Sequence, residues 1–206
     1  MVVEQRHETS HLNLRGPVLH AGDDEYETAR HIWNGMIDRR PEVIIRAAGA
    51  ADVVAAVDFA REQNLLLAIH AGGHSAAGSS VSDGGVMLDL SLLNGIRVDP
   101  ARRTARAEAG VTWADFDAET QAFGLATTGG VVSTTGIAGL TLGGGIGWLS
   151  RTYGLSADNL LSVDIVTADG QLRMANAQQN ADLFWAVRGG GGNFGVVTSF
   201  NISSTR

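Results

Sequence analysis

The sequence predicts an α+β fold in which short strands and helices alternate in two small subdomains packed together. Apolar and β-branched runs such as Val43–Arg46 predict strands, and a stretch with helical spacing, Ala51–Gln63, predicts a helix. The alternation has no fixed repeat period. Glycine accounts for 27 of the 206 residues and is clustered between the predicted elements, which indicates loops whose backbone closely approaches something else.

The first predicted unit consists of a strand, a helix and a strand. The 40 residues before it are polar and mixed, with a short helix expected near Glu25–Trp33. Val43–Arg46 is the first strand, Ala51–Gln63 has apolar residues at helical spacing, and Leu65–Ile69 is a second apolar run. This order predicts a βαβ unit.

Turn residues separate the remaining predicted elements. Pro100 lies at the turn of one hairpin, the run Ala168–Gly170 at the turn of a second, and Gly124 fits the end of a helix. The elements are strand Val86–Leu90, the hairpin Gly95–Asp99 with Thr104–Ala109, helix Trp113–Phe123, the hairpin Leu160–Thr167 with Gln171–Ala175, helix Asp182–Val187 and a closing strand Val196–Ile202.

Composition excludes several classes of protein. The formal net charge is −7 and no basic face is visible, which argues against a nucleic-acid partner. The chain has no Cys and therefore no disulfide, no thiolate nucleophile and no Cys-based metal site. The polar start MVVEQRHETSH lacks the apolar core of a signal peptide, so a cytoplasmic protein is expected. Residues 120–150 are uncharged, but their Gly, Thr and Ser content favours buried turns over a membrane span.

One candidate binding segment follows the second predicted strand. The adjacent glycines Gly72 and Gly73 allow the backbone N–H groups to form a concave anion site that fits a pyrophosphate. A tight structural turn explains the two glycines equally well. His70 and His74 have the spacing of a zinc pair on a helix, but the glycines between them oppose a helix and no third ligand is near. No metal site is expected.

Two further segments are rich in glycine. In residues 129–147 the glycine density is too high for an ordinary helix or strand, and the hydroxyls and free amides suit the edge of a planar polar ligand. The pattern is neither a Rossmann fingerprint nor a P-loop, since the chain has no Lys. In residues 182–198 a strand entered through Asn193, Phe194 and Gly195 indicates either close approach to a ligand or a hinge.

Four strings in these segments carry a resemblance to a known family. In chain order they are AGGHSAAGSSVSDGGVMLDLS, VSTTGIAGLTLGGGIGWLSRTYGLSADNL, TADG and DLFWAVRGGGGNFGVVTSF. Together they resemble the FAD-binding domain of the berberine bridge enzyme and 6-hydroxy-D-nicotine oxidase family, in the vanillyl-alcohol-oxidase superfamily. The resemblance covers about Pro41 to Phe200. It implies an FAD-binding domain at residues 41–206 with the flavin between two small α/β subdomains, and an N-terminal segment, residues 1–40, packing on it.

The resemblance also implies residue roles. The His of the GGH string, His74, is expected to bond covalently to the flavin 8α-methyl group. The loop around it would wrap the pyrophosphate with Ala71, Gly72, Gly73, His74, Ser75, Gly78 and Ser79. The second segment would line the flavin and ribityl chain with Thr134, Gly136, Ile137, Gly139, Gly144 and Gly147. The third would meet the adenosine half with Gly195, Val196 and Val197.

The chain also departs from the family pattern. Many relatives have a second covalent link through a Cys, where this chain has Val132, and many carry Arg where this chain has His70. Relatives are typically much longer and continue into a substrate-binding domain that usually holds the catalytic base. We expect that domain to be absent from these 206 residues, and the catalytic residues are therefore unknown.

The expected function follows from the resemblance. Members oxidise a small molecule by hydride transfer to flavin N5, with O2 as acceptor, so the chain is expected to be an FAD-dependent oxidoreductase or part of one. An alternative is a non-catalytic or incomplete FAD-binding module that needs another chain or domain. An uncovered flavin face would leave apolar residues near Trp148 and Leu149 exposed, which favours self-association or a partner chain.

Overall fold

Two β-sheets form the framework of the protein in the computed structural model, which describes residues 8, 9 and 11–206. The first sheet contains the strands β1 (Val18–His20), β2 (Val43–Arg46), β3 (Leu67–His70) and β4 (Val86–Asp89). Their spatial order is β1-β2-β4-β3. Strand β4 pairs in parallel with both β2 and β3, whereas β1 is antiparallel to β2. The predicted βαβ unit is confirmed, with β4 inserted between its two strands.

The second sheet is antiparallel throughout. It contains β5 (Ile96–Asp99), β6 (Thr104–Glu108), β7 (Leu160–Val166), β8 (Leu172–Asn176) and β9 (Val196–Ser203). Their spatial order is β5-β6-β9-β7-β8. Both predicted hairpins are confirmed, as β5 with β6 and as β7 with β8. The closing strand β9 lies in the centre, paired with β6 and β7.

A long helix, α2 (Ala50–Glu62), packs against both sheets. Its buried face carries Val53, Ala56, Val57, Phe59 and Ala60, and the helical spacing of Val53, Val57 and Ala60 is part of the pattern that predicted it. These side chains belong to one hydrophobic cluster that also contains Ile45 of β2 and Ile165 of β7. The predicted subdomains are thus two sheets with a shared core. The C-cap of the helix is Gln63, and Asn64 follows in the left-handed conformation with φ 53°.

The other helices are short, with nine residues or fewer. They are α1 (Tyr26–Ala29), α3 (Trp113–Gln121), α4 (Ile137–Leu142), α5 (Ser150–Tyr153) and α6 (Ala181–Val187), with 3-10 turns at Ala157–Asn159 and Gly191–Phe194. The N-cap of α3 is Thr112, whose hydroxyl accepts a hydrogen bond from the Asp115 N–H.

Three sequence-based expectations need correction. Strand β1 was not predicted, and the helix expected over Glu25–Trp33 is only the single turn α1. The glycine density of residues 129–147 was expected to exclude a helix, but α4 lies within that segment. The helix forms because Ile137, Ala138 and Leu142 bury an apolar face while Gly139 lies on the exposed side.

Residues 120–150 form loops and short helices. No helix in the described part of the chain is long and apolar enough to cross a membrane. Most of the polar start that lacks a signal-peptide core, residues 1–7 and 10, lies outside the described residues.

Asp52 connects the start of α2 to the preceding chain. Its carboxylate is 1 % exposed and accepts three backbone hydrogen bonds, from Arg15 N at 3.0 Å, Gly16 N at 3.0 Å and Ala48 N at 2.8 Å. A buried carboxylate is tolerated when its oxygens are satisfied in this way. The side chain therefore fixes residues 15 and 16 against the β2–α2 connection.

We expect Asp52→Ala to lower the free energy of unfolding by about 3 kcal/mol, because three backbone N–H groups lose an ionised acceptor. Urea unfolding followed by far-UV circular dichroism measures the change. Asp24→Ala, at an exposed position in the same N-terminal region, is the matched control. Equal stability of the two variants would show that water replaces the Asp52 carboxylate.

Candidate functional site

The loop that follows β3 is closed by its own hydrogen bonds. Ser75 Oγ accepts a bond from the Ser79 N–H at 3.0 Å, and the Gly78 N–H donates to the Ser75 carbonyl at 3.1 Å. Gly73 and Gly78 have φ of 66° and 76°, a region that other residues adopt at a cost. At the start of the loop, Ala71 packs against the main core. The expected absence of a helix between His70 and His74 is confirmed.

This loop touches the glycine block, residues 129–147, backbone to backbone. A Cβ on Gly72 would lie 2.3 Å from Gly136 N, and a Cβ on Gly136 would lie 2.7 Å from Gly72 N. Neither position therefore accommodates a side chain. Close by, His74 Nε2 and Thr134 Oγ1 are 3.1 Å apart and share a hydrogen bond. Two segments that the sequence predicts to bind a ligand are brought together.

Trp33, which the sequence analysis did not assign to a site, lies against His74. The two rings are stacked, with centroids 5.5 Å apart and planes 18° apart. The backbone N–H of Trp33 also donates to the Gly73 carbonyl at 3.1 Å. Stacked aromatic pairs contribute about 0.5–1.5 kcal/mol beyond the area they bury. A large aromatic side chain in an otherwise polar segment is the sequence signal that could have identified it.

Trp33 begins a segment, residues 33–39, that we call the strap. Asn34 Nδ2 donates to the Ala76 carbonyl at 2.9 Å, and Arg39 Nη1 donates to the carbonyls of Gly78 and Val81 at 2.8 and 3.0 Å. The side chain of Ile37 fills the space beside Gly78, where a Cβ would lie 2.9 Å from it. The strap therefore covers the loop along residues 73–81.

His70 is half-buried beneath the loop, with its ring so near Gly73 that a Cβ there would lie 2.7 Å from it. Burial lowers the pKa of His70, and the nearby Asp89 carboxylate only partly offsets the effect. The ring is therefore neutral near pH 7 and adds no positive charge at the position where relatives often carry Arg. Its Nδ1 has no hydrogen-bond partner among the described residues. A cation is nonetheless present at this loop, because Arg39 bonds to its carbonyls.

The predicted residues of the glycine block have different surroundings. Ile137 is fully buried, and its N–H donates to the Val111 carbonyl at 2.9 Å. Gly147 lies so close to the chain that a Cβ would be 1.7 Å from Gly129 O, and Gly144 has φ 106°. Protein packing or backbone conformation thus explains both glycines.

Gly139 is different. It is exposed on α4, its φ is not in the left-handed region, and a Cβ there would meet no atom within 4 Å. Neither packing nor backbone conformation requires glycine at this position. On the same helix, the hydroxyl of buried Thr141 lacks a hydrogen-bond partner within the described chain. Thr141 is fully buried, so only the free space at Gly139 is consistent with a ligand approaching α4.

The third predicted segment meets the glycine block at the end of α4. The Gly189 N–H donates to the Leu142 carbonyl at 2.9 Å, and the 3-10 turn Gly191–Phe194 contacts α4. Gly195 has φ 143°, and a Cβ there would lie 2.4 Å from Val166 O. Val196 and Val197 are buried within β9, so any ligand contact of these two residues involves the backbone.

Apolar side chains are exposed at the predicted open face. Trp148 is 86 % exposed and Ile146 is 75 % exposed, while Leu149 is half-buried. The expected exposure near Trp148 is confirmed. Within the described residues no group of three or more His, Cys, Asp or Glu side chains is arranged to hold a metal ion.

Comparisons with known proteins agree with this geometry. Residues 41–176 match the model of a protein family whose description is "FAD binding domain". The chain is 39 % identical to (R)-6-hydroxynicotine oxidase of Paenarthrobacter nicotinovorans over 191 residues, which cover 93 % of this chain and 42 % of that protein. The resemblance found in the sequence is thereby confirmed, and the chain spans about two fifths of the length of that relative.

Solved structures share the fold. The crystal structure of 6-hydroxy-D-nicotine oxidase from Arthrobacter nicotinovorans superposes with a TM-score of 0.94 at 38 % identity, covering 97 % of this chain and 44 % of that one. A BBE-like protein of Physcomitrella patens gives a TM-score of 0.89 at 33 % identity, covering 93 % of this chain and 42 % of its own. The two-sheet arrangement is therefore the FAD-binding fold of these oxidases.

We expect Gly72→Ala to lower the free energy of unfolding by about 1–3 kcal/mol, because the new methyl group forces apart the backbones of residues 72 and 136. Gly139→Ala is the control, since its Cβ has free space and alanine favours a helix by up to about 1 kcal/mol over glycine. Thermal unfolding of the ligand-free chain measures both. A Gly72→Ala variant as stable as the control would contradict the backbone contact.

Proposed function

The chain belongs to the FAD binding domain family, and we propose that it holds FAD where the loop of residues 71–79 meets the glycine block, as part of an oxidoreductase that oxidises a small molecule. The observation that carries this proposal is the contact of Gly72 with Gly136, which places His74 beside Thr134. We place the domain at residues 41–206, with the preceding segment packed on it through β1 and the strap.

The residues present fit the cofactor. The loop offers the backbone N–H of left-handed Gly73, which has no acceptor among the described residues and suits a pyrophosphate, whereas the Gly78 N–H already donates to the Ser75 carbonyl. Exposed Gly139 leaves a side of α4 free for a flat ligand. We assign the pyrophosphate to Ala71, Gly72, Gly73, Ser75, Gly78 and Ser79, the flavin and ribityl chain to Thr134, Gly136, Ile137, Gly139, Gly144 and Gly147, and the adenosine half to Gly195, Val196 and Val197.

We further propose that His74 bonds covalently to the flavin 8α carbon. Thr134 engages Nε2 of the imidazole, which leaves Nδ1 for the new bond. Overall, a C–H bond of the 8α-methyl group and an imidazole N–H bond break and a C–N bond forms. The two electrons and two protons released pass to dioxygen, which leaves as hydrogen peroxide. The absence of Cys makes His74 the single attachment point.

In the proposed reaction the flavin supplies the redox chemistry, by accepting a hydride at N5 and passing electrons to O2. The residues of this chain position the cofactor. The name of the relative (R)-6-hydroxynicotine oxidase supports a small-molecule substrate. A second candidate function is an FAD-binding module that acts only when another chain or domain covers it. The exposure of Trp148 and Ile146 favours this candidate, because exposed apolar clusters mark contact surfaces.

We expect the purified chain to be yellow, with its colour remaining on the protein after acid precipitation. A tryptic peptide containing His74 should be heavier by the mass of one FAD. In His74→Ala, FAD should still bind but be released by acid, because only the covalent bond is lost. Colourless wild-type protein in excess FAD would refute the binding proposal, whereas an unmodified His74 peptide from fully yellow protein would refute only the covalent bond.

We expect the 206-residue chain alone to turn over amine, alcohol and sugar substrates poorly, because its open apolar face admits water to the flavin. Oxygen consumption measures turnover, and sedimentation velocity shows whether the chain self-associates. Replacing exposed Trp148 by Ser should reduce any self-association without changing the FAD content. Rapid oxidation of a substrate by a monomer would contradict the second candidate and show that these residues include a catalytic base.

A further inference from the structure

The strap lies just before the residues that the family model matches, and it packs against the loop that carries His74. The match begins at residue 41, whereas the strap ends at Arg39. Its hydrogen bonds to residues 73, 76, 78 and 81 follow that loop from end to end. The strap is therefore in a position to determine how the loop presents His74.

Two contacts restrain the imidazole of His74 in different directions. The bond between Nε2 and Thr134 fixes one nitrogen but still allows the ring plane to turn about that contact. Trp33 forms an offset stack with the ring, with centroids 5.5 Å apart and planes 18° apart, and opposes this rotation. With both contacts present, the plane of the ring and the direction of its second nitrogen are defined.

Trp33 is held in place by its backbone rather than by burial. Its side chain is 66 % exposed, so the general hydrophobic effect does little to fix it. Two hydrogen bonds fix Trp33 beside His74. The backbone N–H of Trp33 donates to the Gly73 carbonyl, and the side chain of Asn34 donates to the Ala76 carbonyl. The contact between indole and imidazole is thus built into the main-chain arrangement.

We propose that Trp33 is a positioning residue that holds the imidazole of His74 in the orientation from which Nδ1 attacks the 8α carbon of FAD. This rests on the proposed function. The nitrogen lone pair lies in the plane of the imidazole, so a bond forms only when that plane is directed at the carbon. Restricting rotation of a nucleophile raises the rate of such a step. Trp33 acts on the rate of attachment and not on the affinity for FAD.

The test compares wild-type chain, Trp33→Leu and Trp33→Phe, each prepared without flavin and then mixed with FAD in air. Flavin fluorescence of acid-precipitated samples over time gives the rate of covalent attachment, and equilibrium titration at early times gives the Kd for FAD. Trp185→Leu, at an equally exposed tryptophan on α6, is the matched control. Proton NMR of the flavin-free chain reports the indole contact independently, as an upfield shift of the His74 ring protons.

We expect Trp33→Leu to attach FAD roughly 3- to 10-fold more slowly, the fold-change that corresponds to losing a stacked aromatic pair. Its Kd for FAD should stay within about twofold of wild type, and the His74 ring protons should lose their upfield shift. Trp33→Phe should recover much of the rate because phenylalanine can stack. Trp185→Leu should behave as wild type.

Other outcomes overturn the inference in distinguishable ways. Attachment by Trp33→Leu at the wild-type rate removes the positioning role and leaves the proposed function intact. If the affinity for FAD falls by the same factor as the rate of covalent attachment, Trp33 lines the FAD pocket and is not a positioning residue. Wild-type chain that binds FAD without ever retaining it in acid overturns both covalent attachment and this inference, whereas wild-type chain that binds no FAD overturns the proposed function itself.

Discussion

The backbone contact between Gly72 and Gly136 is the constraint on which the candidate site depends. It joins a loop from the first sheet to the glycine block. The second sheet supports that block through α3, which packs on β5 and whose first residues donate hydrogen bonds to the carbonyls of residues 133 and 135. These bonds run from Trp113 N to Thr135 O at 3.0 Å and from Ala114 N to Ser133 O at 2.9 Å. His74 and Thr134, which are 60 residues apart in the chain, meet because their backbones are held in contact two residues away.

The abundance of glycine has several physical causes that act side by side. Gly129 and Gly130 lie against the indole of buried Trp113, where a Cβ would come within 2.5 and 2.7 Å of a neighbouring side chain. Gly147 faces a backbone carbonyl, and Gly144 needs a positive φ. Only for positions such as Gly139 do packing and conformation leave the glycine unexplained. A glycine-rich segment is thus weak evidence of a ligand until each residue is compared with its own neighbours.

Local patterns predicted most of the fold, and contacts distant in sequence account for what was missed. Strand β2, helix α2 and both hairpins follow from apolar periodicity and turn residues, which act within a few positions. Strand β1 has three residues, too few for a periodic signal, and exists through its pairing with β2. Helix α4 depends on burial of Ile137 in a core that other elements build. The three site segments were recognised by their glycines and their residue roles came from the resemblance, whereas Trp33 lies outside its strings and depends on a contact 41 positions away.

The charge distribution around the loop bears on how this domain accommodates an anionic cofactor. The chain as a whole is acidic, and burial keeps His70 neutral by lowering its pKa. What the loop presents instead is the main-chain N–H of left-handed Gly73, which has no acceptor among the described residues and attracts an anion without a titrating group. Arg39 brings a cationic guanidinium group to the loop from the strap. In the proposed FAD site the same strap therefore carries a fixed cation at one end and the aromatic partner of His74 at the other, so the segment before residue 41 belongs to the cofactor site as much as the glycines do.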